Sequence, residues 1–458
     1  VNGTDPLSNL RVGVISLGCA KNLVDTEVAL GHLVAAGATV TADEREADVL
    51  VVNTCGFIEA AREESLGEIE AALELKRGGS CRYVVVAGCL VQRWPELLAR
   101  DLPGVDAWVG VGDPAEIVRC IRQAAHGEAA SGALCDLGYL YDHLTPRLRS
   151  TSRWTAWVKI AEGCDHRCAF CVIPQIRGHY RSRTIDSVVA EVRQLVSEGV
   201  REVNLIAQDT TRFGHDLPGA DGPKLAALLR ALATQTEAEW IRLLYCFPDR
   251  LSDEVIGVLA EYPRLVPYVD LPLQHASSRV LRAMRRPGDA ERYTELLAKV
   301  RDRIPGVAIR TAFIVGFPGE TDEDFAQLRG FVAAQRFDRL FVFQYSPEEG
   351  TAAAGMADAV PAEVAEERFH DLMALQARIS LARNEARVGS ETTVLCERRV
   401  VGPQGSVVAV GRSELDAPEV DHEVHVLGTD AEPGQFVRAR IARAFEYQLV
   451  ATALSDPW

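Results

Sequence analysis

Cys164, Cys168 and Cys171 crowd into the short stretch GCDHRCAFC, one residue beyond the apolar run WVKIA. A cysteine cluster that follows a strand-length apolar run puts its sulfurs on a loop at a strand's carboxyl end, where α/β folds carry their reactive groups. The spacing, three residues and then two, departs from the usual four-ligand zinc arrangements. Three thiolates can instead hold three irons of a [4Fe-4S] cube and leave the fourth iron without a protein ligand. A structural zinc loop is the plain alternative.

Upstream, apolar runs alternate with helical stretches: RVGVISLG, a helix near Asn22 to Ala36, DVLVVNT, a helix near Ile58 to Lys76, then YVVVAG. That order predicts a parallel sheet with covering helices, whose ligand sites lie beyond the carboxyl ends of the strands. Cys19, Cys55 and Cys89 fall at three such ends, whereas Cys81, Cys120 and Cys135 precede or lie away from the clear strands. Gly18, Gly56 and Gly88 adjoin the three and permit tight turns or close backbone approach. They read as a second sulfur-rich metal site; small buried hydrophobes are the bland alternative.

A polar stretch near Thr145 to Ser152 reads as a linker into a second alternating series. Strands are expected at Ala156 to Ala161, Glu202 to Ala207, Trp240 to Tyr245, Val266 to Leu271, Val307 to Val315 and Arg339 to Tyr345. Six such units suggest an open or partial α/β barrel. The open iron of a three-cysteine cluster accepts the amino and carboxylate groups of S-adenosylmethionine, whose reductive cleavage releases a 5′-deoxyadenosyl radical. Candidate cofactor residues stand near the strand ends: Phe170 in the loop, Gln208 beside Asp209, Gln274 beside His275, and Gly316 and Gly319 around Pro318 in TAFIVGFPGET. Arg310, inside a strand, is a candidate for the methionine carboxylate or for a structural ion pair.

Eleven cysteines are poorly explained by disulfides in a chain whose opening residues, VNGTDPLSNL, lack the pattern of a signal peptide. With no apolar run of about 18 residues, the expectation is a cytoplasmic protein with no membrane partner. The net charge of -16 disfavours a nucleic-acid backbone and favours a basic protein partner. Two local charge runs stand out. Arg147 to Arg183 holds eight lysines and arginines against Glu162 and Asp165, a field suited to a cofactor or substrate carboxylate. Arg412 to Glu432 holds Glu414, Asp416, Glu419, Asp421, Glu423, Asp430 and Glu432 against one arginine, and is expected to form an acidic surface that steers a basic client. That acidic run lies in a terminal stretch of four or five short strands, a small β-barrel after a helix from Pro361 to about Val388. Cys246 and Cys396 read as structural thiols.

The stretches SLGCAKNLVDTE, NTCGFIEAAREES, AGCLVQRW and KIAEGCDHRCAFCVIPQIRGHYRSR give the chain, over nearly its whole length, a close resemblance to the radical S-adenosylmethionine methylthiotransferase family. The resemblance implies an amino-terminal parallel α/β methylthiotransferase domain over 1–145, a central partial (βα)6 TIM-like radical barrel over 146–386 and an OB-like antiparallel TRAM barrel over 387–458. It also implies two [4Fe-4S] clusters, an auxiliary one on Cys19, Cys55 and Cys89 and a radical one on Cys164, Cys168 and Cys171. S-adenosylmethionine would serve as radical source and methyl donor, and a reductant such as flavodoxin or ferredoxin would supply electrons. Within the family, NTCGFIEAA, GCDHRCAFCVIPQIRG and GRSELDAPEVD resemble the branch that methylthiolates the β-carbon of an aspartate in small-subunit ribosomal protein twelve, free or within the subunit. Ala20, where that branch commonly has proline, leaves all six ligands in place. The alternatives are methylthiolation of isopentenyladenosine beside a tRNA anticodon and a non-enzymatic iron-sulfur scaffold.

Overall fold

Continuous apolar runs mark strands covered on both faces, as parallel sheets require, and VLVVNT is such a run. In the computed structural model, which describes residues 6–127, 137–218, 224–401 and 407–458, its six side chains are all buried at the centre of a parallel sheet. The five strands are β1 (Arg11–Ser16), β2 (Thr39–Val40), β3 (Val49–Thr54), β4 (Tyr83–Gly88) and β5 (Ala107–Val109), in spatial order β2-β1-β3-β4-β5. Helices α1 (Ala20–Ala35), α2 (Glu59–Arg77), α3 (Cys89–Arg93), α4 (Pro95–Asp101) and α5 (Ala115–Ala125) cover it. α1 and α5 pack over Val12, Val51 and Val85, and α2, α3 and α4 pack over Leu50, Val52 and Val86. Strands β2 and β5 are too short to register as sequence periods. Cys135 lies outside the described residues.

The chain leaves β1 toward β2 on one side, while β3 and β4 build on the other. This reversal of strand order opens a crevice at the carboxyl ends of β1 and β3, the usual ligand position in such sheets.

The central unit contains every expected strand, within a residue or two. After β6 (Thr155–Lys159), β7 (Ala161–Glu162) and β8 (Arg181–Ser182) form a short antiparallel pair that brackets the cysteine loop. Then follow β9 (Glu202–Ile206), β10 (Trp240–Leu243), β11 (Leu265–Asp270), β12 (Ala308–Val315) and β13 (Arg339–Gln344). The order β6-β9-β10-β11-β12-β13 is wholly parallel. The helices α6 (Ile173–Arg177), α7 (Ile185–Ser197), α8 (Lys224–Gln235), α9 (Asp253–Glu261), α10 (Ser278–Ala283), α11 (Ala290–Arg303), α12 (Asp322–Gln335) and α13 (Ala362–Glu385) complete the unit. Six strands leave β6 and β13 as edges, where a complete barrel of eight would close.

The amino-terminal unit spans that seam. On one edge Val24 and Val28 of α1 pack with Trp157 of β6. On the other, Glu348, just after β13, accepts from the Arg93 guanidinium at 2.8 Å and the Glu59 N–H at 3.0 Å. No helix among the described residues is long and apolar enough to cross a membrane.

The terminal strands β14 (Glu391–Val401), β15 (Val407–Ser413), β16 (Glu423–Leu427), β17 (Phe436–Ala444) and β18 (Gln448–Ala453) form a closed barrel in the order β14-β15-β16-β18-β17. Four contacts are antiparallel and β16–β18 is parallel. A ring of five strands cannot alternate strictly, so one neighbouring pair must run the same way. This barrel plugs the amino-terminal end of the central one, inserting Leu395, Ala417 and Phe436 among Trp240, Tyr268 and Ala308.

That docking turns part of the expected acidic surface inward, while Glu419, Asp430 and Glu432 stay exposed. Asp416 is fully buried and pairs with Arg339 at the start of β13, and Asp421 accepts from the Tyr268 hydroxyl at 2.6 Å. The Glu414 carbonyl accepts from Arg242 at 2.8 Å, and Glu423 and Glu432 are matched by Arg398 and Arg399. Asp416 thus meets an arginine of the central barrel, whereas Glu423 and Glu432 are matched within the terminal barrel itself. The basic run is spent similarly: Arg147 pairs with Glu27 and Glu191, and Arg183 with Glu191.

At the centre of the docking surface Glu202, wholly buried, binds Arg242 at 3.0 Å and also Arg412. Glu202→Ala would take the carboxylate partner from buried Arg242 and leave Arg412 with Glu397 alone, so a loss of about 3–5 kcal/mol in denaturant unfolding is expected. The exposed Asp430→Ala should leave the unfolding midpoint unchanged.

Candidate active site

The first cysteine set is assembled by strand ends. Cys19 caps α1 with an extended backbone, Cys55 follows β3, and Cys89 opens α3 directly after β4. The turns are held close. A Cβ on Gly18 would fall 2.7 Å from that of Cys55, and one on Gly56 would fall 2.7 Å from the Leu90 Cα, so the three segments meet only because both positions are bare. The Asn22 amide donates to the Leu17 carbonyl at 2.7 Å, and the Asn53 amide donates back to the Asn22 carbonyl at 3.0 Å, locking the first turn of α1 to β3. Ser65 clasps Cys55, accepting from its N–H at 3.0 Å and donating to its carbonyl at 2.9 Å.

These thiols differ. Burial opposes ionisation of Cys19, yet Lys21, Arg177 and the N–H groups of Asn22 and Lys21 outweigh it and bring the thiol below its ordinary value. Burial pushes Cys89 up to about 12, against the pull of Arg177, and raises Cys55.

The second set is held by its backbone. The Cys164 N–H donates to the Gly178 carbonyl at 3.0 Å, and the Ala169 N–H to that of Met284 at 2.9 Å. Between the first two cysteines, His166 stacks on Phe247 with ring centroids 3.9 Å apart, and its Nε2 lies 2.7 Å from Asp209. Arg286 also lies over Phe247 and points a guanidinium N–H at the Cys168 sulfur, 3.9 Å away. Burial pushes Cys164 up to about 11 and Cys171 up to about 12. Cys246, just after β10, turns into the core between helices and sheet, and Cys396 into the terminal barrel, as structural thiols do.

The two sets meet through α6. Cys89 packs against Val172 and Ile176, the residues that continue the chain from Cys171. Arg177 then reaches across the domain boundary, 3.5 Å from the Cys89 sulfur, 2.8 Å from Asp25 of α1 and 3.2 Å from Glu162. Lys159 bonds the same two carboxylates at 2.5 Å, and the Gln208 amide donates to Glu162 at 2.6 Å. Burial would favour neutral Glu162, but Lys159 and Arg177 hold its carboxyl well below the usual range. Asp25, Lys159, Glu162, Arg177 and Arg286 were not among the sequence candidates. The one available signal was Lys159, a charge inside the apolar run WVKIA.

Of the candidates, Gln208 joins this network and keeps its buried amide oxygen without a partner. Phe170 packs beside Ala169, Met284 and Phe317. Gln274 bridges to Phe313 at the end of β11, with φ of 73°. Gly316 abuts Ala365 of α13, and the Gly319 carbonyl accepts from Arg279 at 2.6 Å. Arg310 lies apart, 3.9 Å from Asp270 and over the Phe341 ring. Among the described residues no three of His, Cys, Asp and Glu close to the spacing of one metal ion's ligands. The thiolates of a cubane reach three different irons and stand further apart, and two three-thiol sets without a fourth cysteine suit that group.

Family models match the three units in turn: the uncharacterized protein family UPF0004 over residues 11–110, the radical SAM superfamily over 158–332 and the TRAM domain over 388–454. A ribosomal protein uS12 methylthiotransferase RimO from Desulforamulus reducens is 48% identical over 96% of this chain and 98% of its own length. One from Syntrophotalea carbinolica is 46% identical over 99% of both chains. This chain belongs to the RimO family. As a RimO-family member it is a radical S-adenosylmethionine enzyme, and use of that cofactor with iron-sulfur chemistry follows. Among solved structures, the radical S-adenosylmethionine methyltransferase TsrM from Kitasatospora setae shares the fold, with a TM-score of 0.56 at 17% identity over 75% of this chain and 73% of that one.

The unequal thiols of this RimO-family chain give a test on iron-free protein. A lowered value means more thiolate at a given pH, so at pH 7.5 iodoacetamide should alkylate Cys19 well before Cys89 or Cys171, with the gap narrowing as pH rises. Peptide mapping at timed intervals reads the order; simultaneous labelling would contradict it.

Proposed function

We propose that this chain methylthiolates the β-carbon of an aspartate in ribosomal protein uS12, with Cys19, Cys55 and Cys89 holding an auxiliary [4Fe-4S] cluster and Cys164, Cys168 and Cys171 a radical one. The observation that carries the reading is the packing of Cys89 against the helix that continues the cysteine loop, with Arg177 touching its sulfur. Sulfur chemistry and radical chemistry must act on one carbon, and this contact sets Cys89 of the first set against the helix that continues the second. When bound, the clusters and S-adenosylmethionine supply the methylated sulfur and the 5′-deoxyadenosyl radical. The protein's own part is geometric and electrostatic. Arg177 and Lys159 offset the negative charge of Asp25, Glu162 and the cysteine sulfurs, and the amino-terminal unit, docked over the seam, holds the first cysteine set toward the second. Gln208, Gln274, Gly316 and Gly319, at or just beyond the carboxyl ends of β9, β11 and β12, form the proposed wall for S-adenosylmethionine, with Phe170 beside the loop. Arg310 is left out of that wall, because Asp270 and Phe341 already engage it. A cytosolic setting with reduced flavodoxin or ferredoxin as electron source completes the reading.

Two triple variants test it. Reconstituted protein should bind about eight irons, and the Cys164, Cys168 and Cys171 to alanine variant about four, with no 5′-deoxyadenosine formed. The Cys19, Cys55 and Cys89 to alanine variant should still cleave S-adenosylmethionine while the methylthio product vanishes. Peptide mass mapping on a mixture of uS12 and tRNA identifies the client: product on tRNA, or normal uS12 product from the second variant, would overturn the proposal.

A further inference from the structure

Buried cations in this protein come with carboxylates. Lys159, Arg177, Arg183, Arg242, Arg339, Arg368 and Arg412 each have at least one acidic partner. Arg286 lacks one but donates to the Pro272 carbonyl at 2.8 Å. Lys21 is different. It is 92% buried in the first turn of α1, and no hydrogen bond or ion pair engages its ammonium among the described residues. Its nitrogen instead lies 3.1 Å from the centroid of the Tyr245 ring, at the carboxyl end of β10. Asp25, one turn further along α1, is held by Lys159 and Arg177. An aromatic face positions an ammonium without neutralising it, and its three N–H donors are left to water or to a ligand. The stem of Lys21 is buried while its tip still reaches water, so the ammonium is held in place yet open to an arriving anion.

Lys21 also stands where an anion belongs. It is two residues beyond Cys19, on the side of α1 that meets the barrel lumen through Tyr245, next to Ala20 and Leu23. In an aspartate side chain the reacting β-carbon is bonded directly to the carboxylate carbon. A cation that grips the carboxylate therefore fixes the β-carbon within two bonds of the contact, and only a cation beside the sulfur-bearing site can do so in reach of the sulfur. Building on the proposed reaction, we infer that Lys21 receives the side-chain carboxylate of the target aspartate and thereby selects aspartate as substrate. Tyr245 is the platform that holds the ammonium in place.

Two other anions share this chemistry, the methionine carboxylate of S-adenosylmethionine and a sulfide held at the auxiliary site, so the test separates three sources. Reconstituted wild type, Lys21→Gln and Lys21→Arg are titrated with a uS12-derived peptide carrying the target aspartate and with its asparagine counterpart. Lys21→Gln should weaken binding of the aspartate peptide about 10- to 100-fold, the scale of one charge-assisted hydrogen bond. Its affinity for the asparagine peptide should match that of wild type, and Lys21→Arg should recover part of the loss. Affinity for S-adenosylmethionine should not change. Equal loss on both peptides, the result expected if Lys21 serves a bound sulfide, or weaker S-adenosylmethionine binding would overturn the assignment, as would full aspartate-peptide affinity in Lys21→Gln. Iron content of the variants reports folding, and Lys21→Arg keeps the test decisive should Lys21→Gln load iron poorly. If wild type itself neither binds nor modifies the aspartate peptide, the proposed reaction has failed; if wild type succeeds and Lys21→Gln matches it, only the role of Lys21 has.

Discussion

Arg177 is 2% exposed and belongs to the central unit, yet its partners include Asp25 and Cys89 of the amino-terminal one. A buried guanidinium is tolerable only when its donors are met, and here two carboxylates and a sulfur meet them from two directions. Lys159 shares both carboxylates, so the four charged groups balance as a set. Removing one would leave the others buried and unmatched, which makes the network stringent about distance. The spacing between the two cysteine sets depends on it, because Arg177 lies only six residues after Cys171 and touches Cys89.

The same logic accounts for the remaining interfaces. A six-stranded partial barrel has an open seam and an open floor, and each exposes polar backbone and charged strand ends. Glu348 ties the far edge of the seam to Arg93, while Glu202, Arg242, Arg339, Arg412 and Asp416 close the floor. Apolar packing of Trp240, Phe436 and Leu395 supplies adhesion there. The ion pairs supply register, since a shifted barrel would leave several charges buried without partners.

What could be read from the chain divides along these lines. Strands and the cysteines that follow them are local patterns: VLVVNT or WVKIA announces a buried strand, and the next residues must lie at its end. The strand-end positions of both cysteine sets and all six barrel strands were therefore legible. Ion-pair partners were not, because Asp25 and Arg177, or Glu202 and Arg412, are far apart in sequence and nothing local marks them as mates. The acidic run from Arg412 to Glu432 was only half legible for a related reason. Composition counts charges without saying which way they face, and Asp416 and Asp421 face inward. Arg310 was legible as a charge within a strand, but only the fold reveals Asp270 and Phe341 beside it.

Charge matching also gives meaning to its exceptions. In a protein that neutralises nearly every buried cation, an unmatched one is informative in a way that an unmatched surface lysine is not. Lys21 lies on the first turn of a helix whose cap is Cys19, and the helix dipole adds to its positive field. Arg177 contributes to the same field at Cys19 but is already engaged by Asp25 and Glu162. The local potential around the first cysteine set is thus positive through two groups of different availability. One is fixed in the scaffold beside the Cys89 sulfur; the other is held on an aromatic face and open to a ligand. A site that must stabilise bound sulfur and also orient an anionic side chain needs both kinds, because a single cation committed to the scaffold could not reorganise around an arriving carboxylate without unbalancing the network that sets the distance between the two cysteine sets.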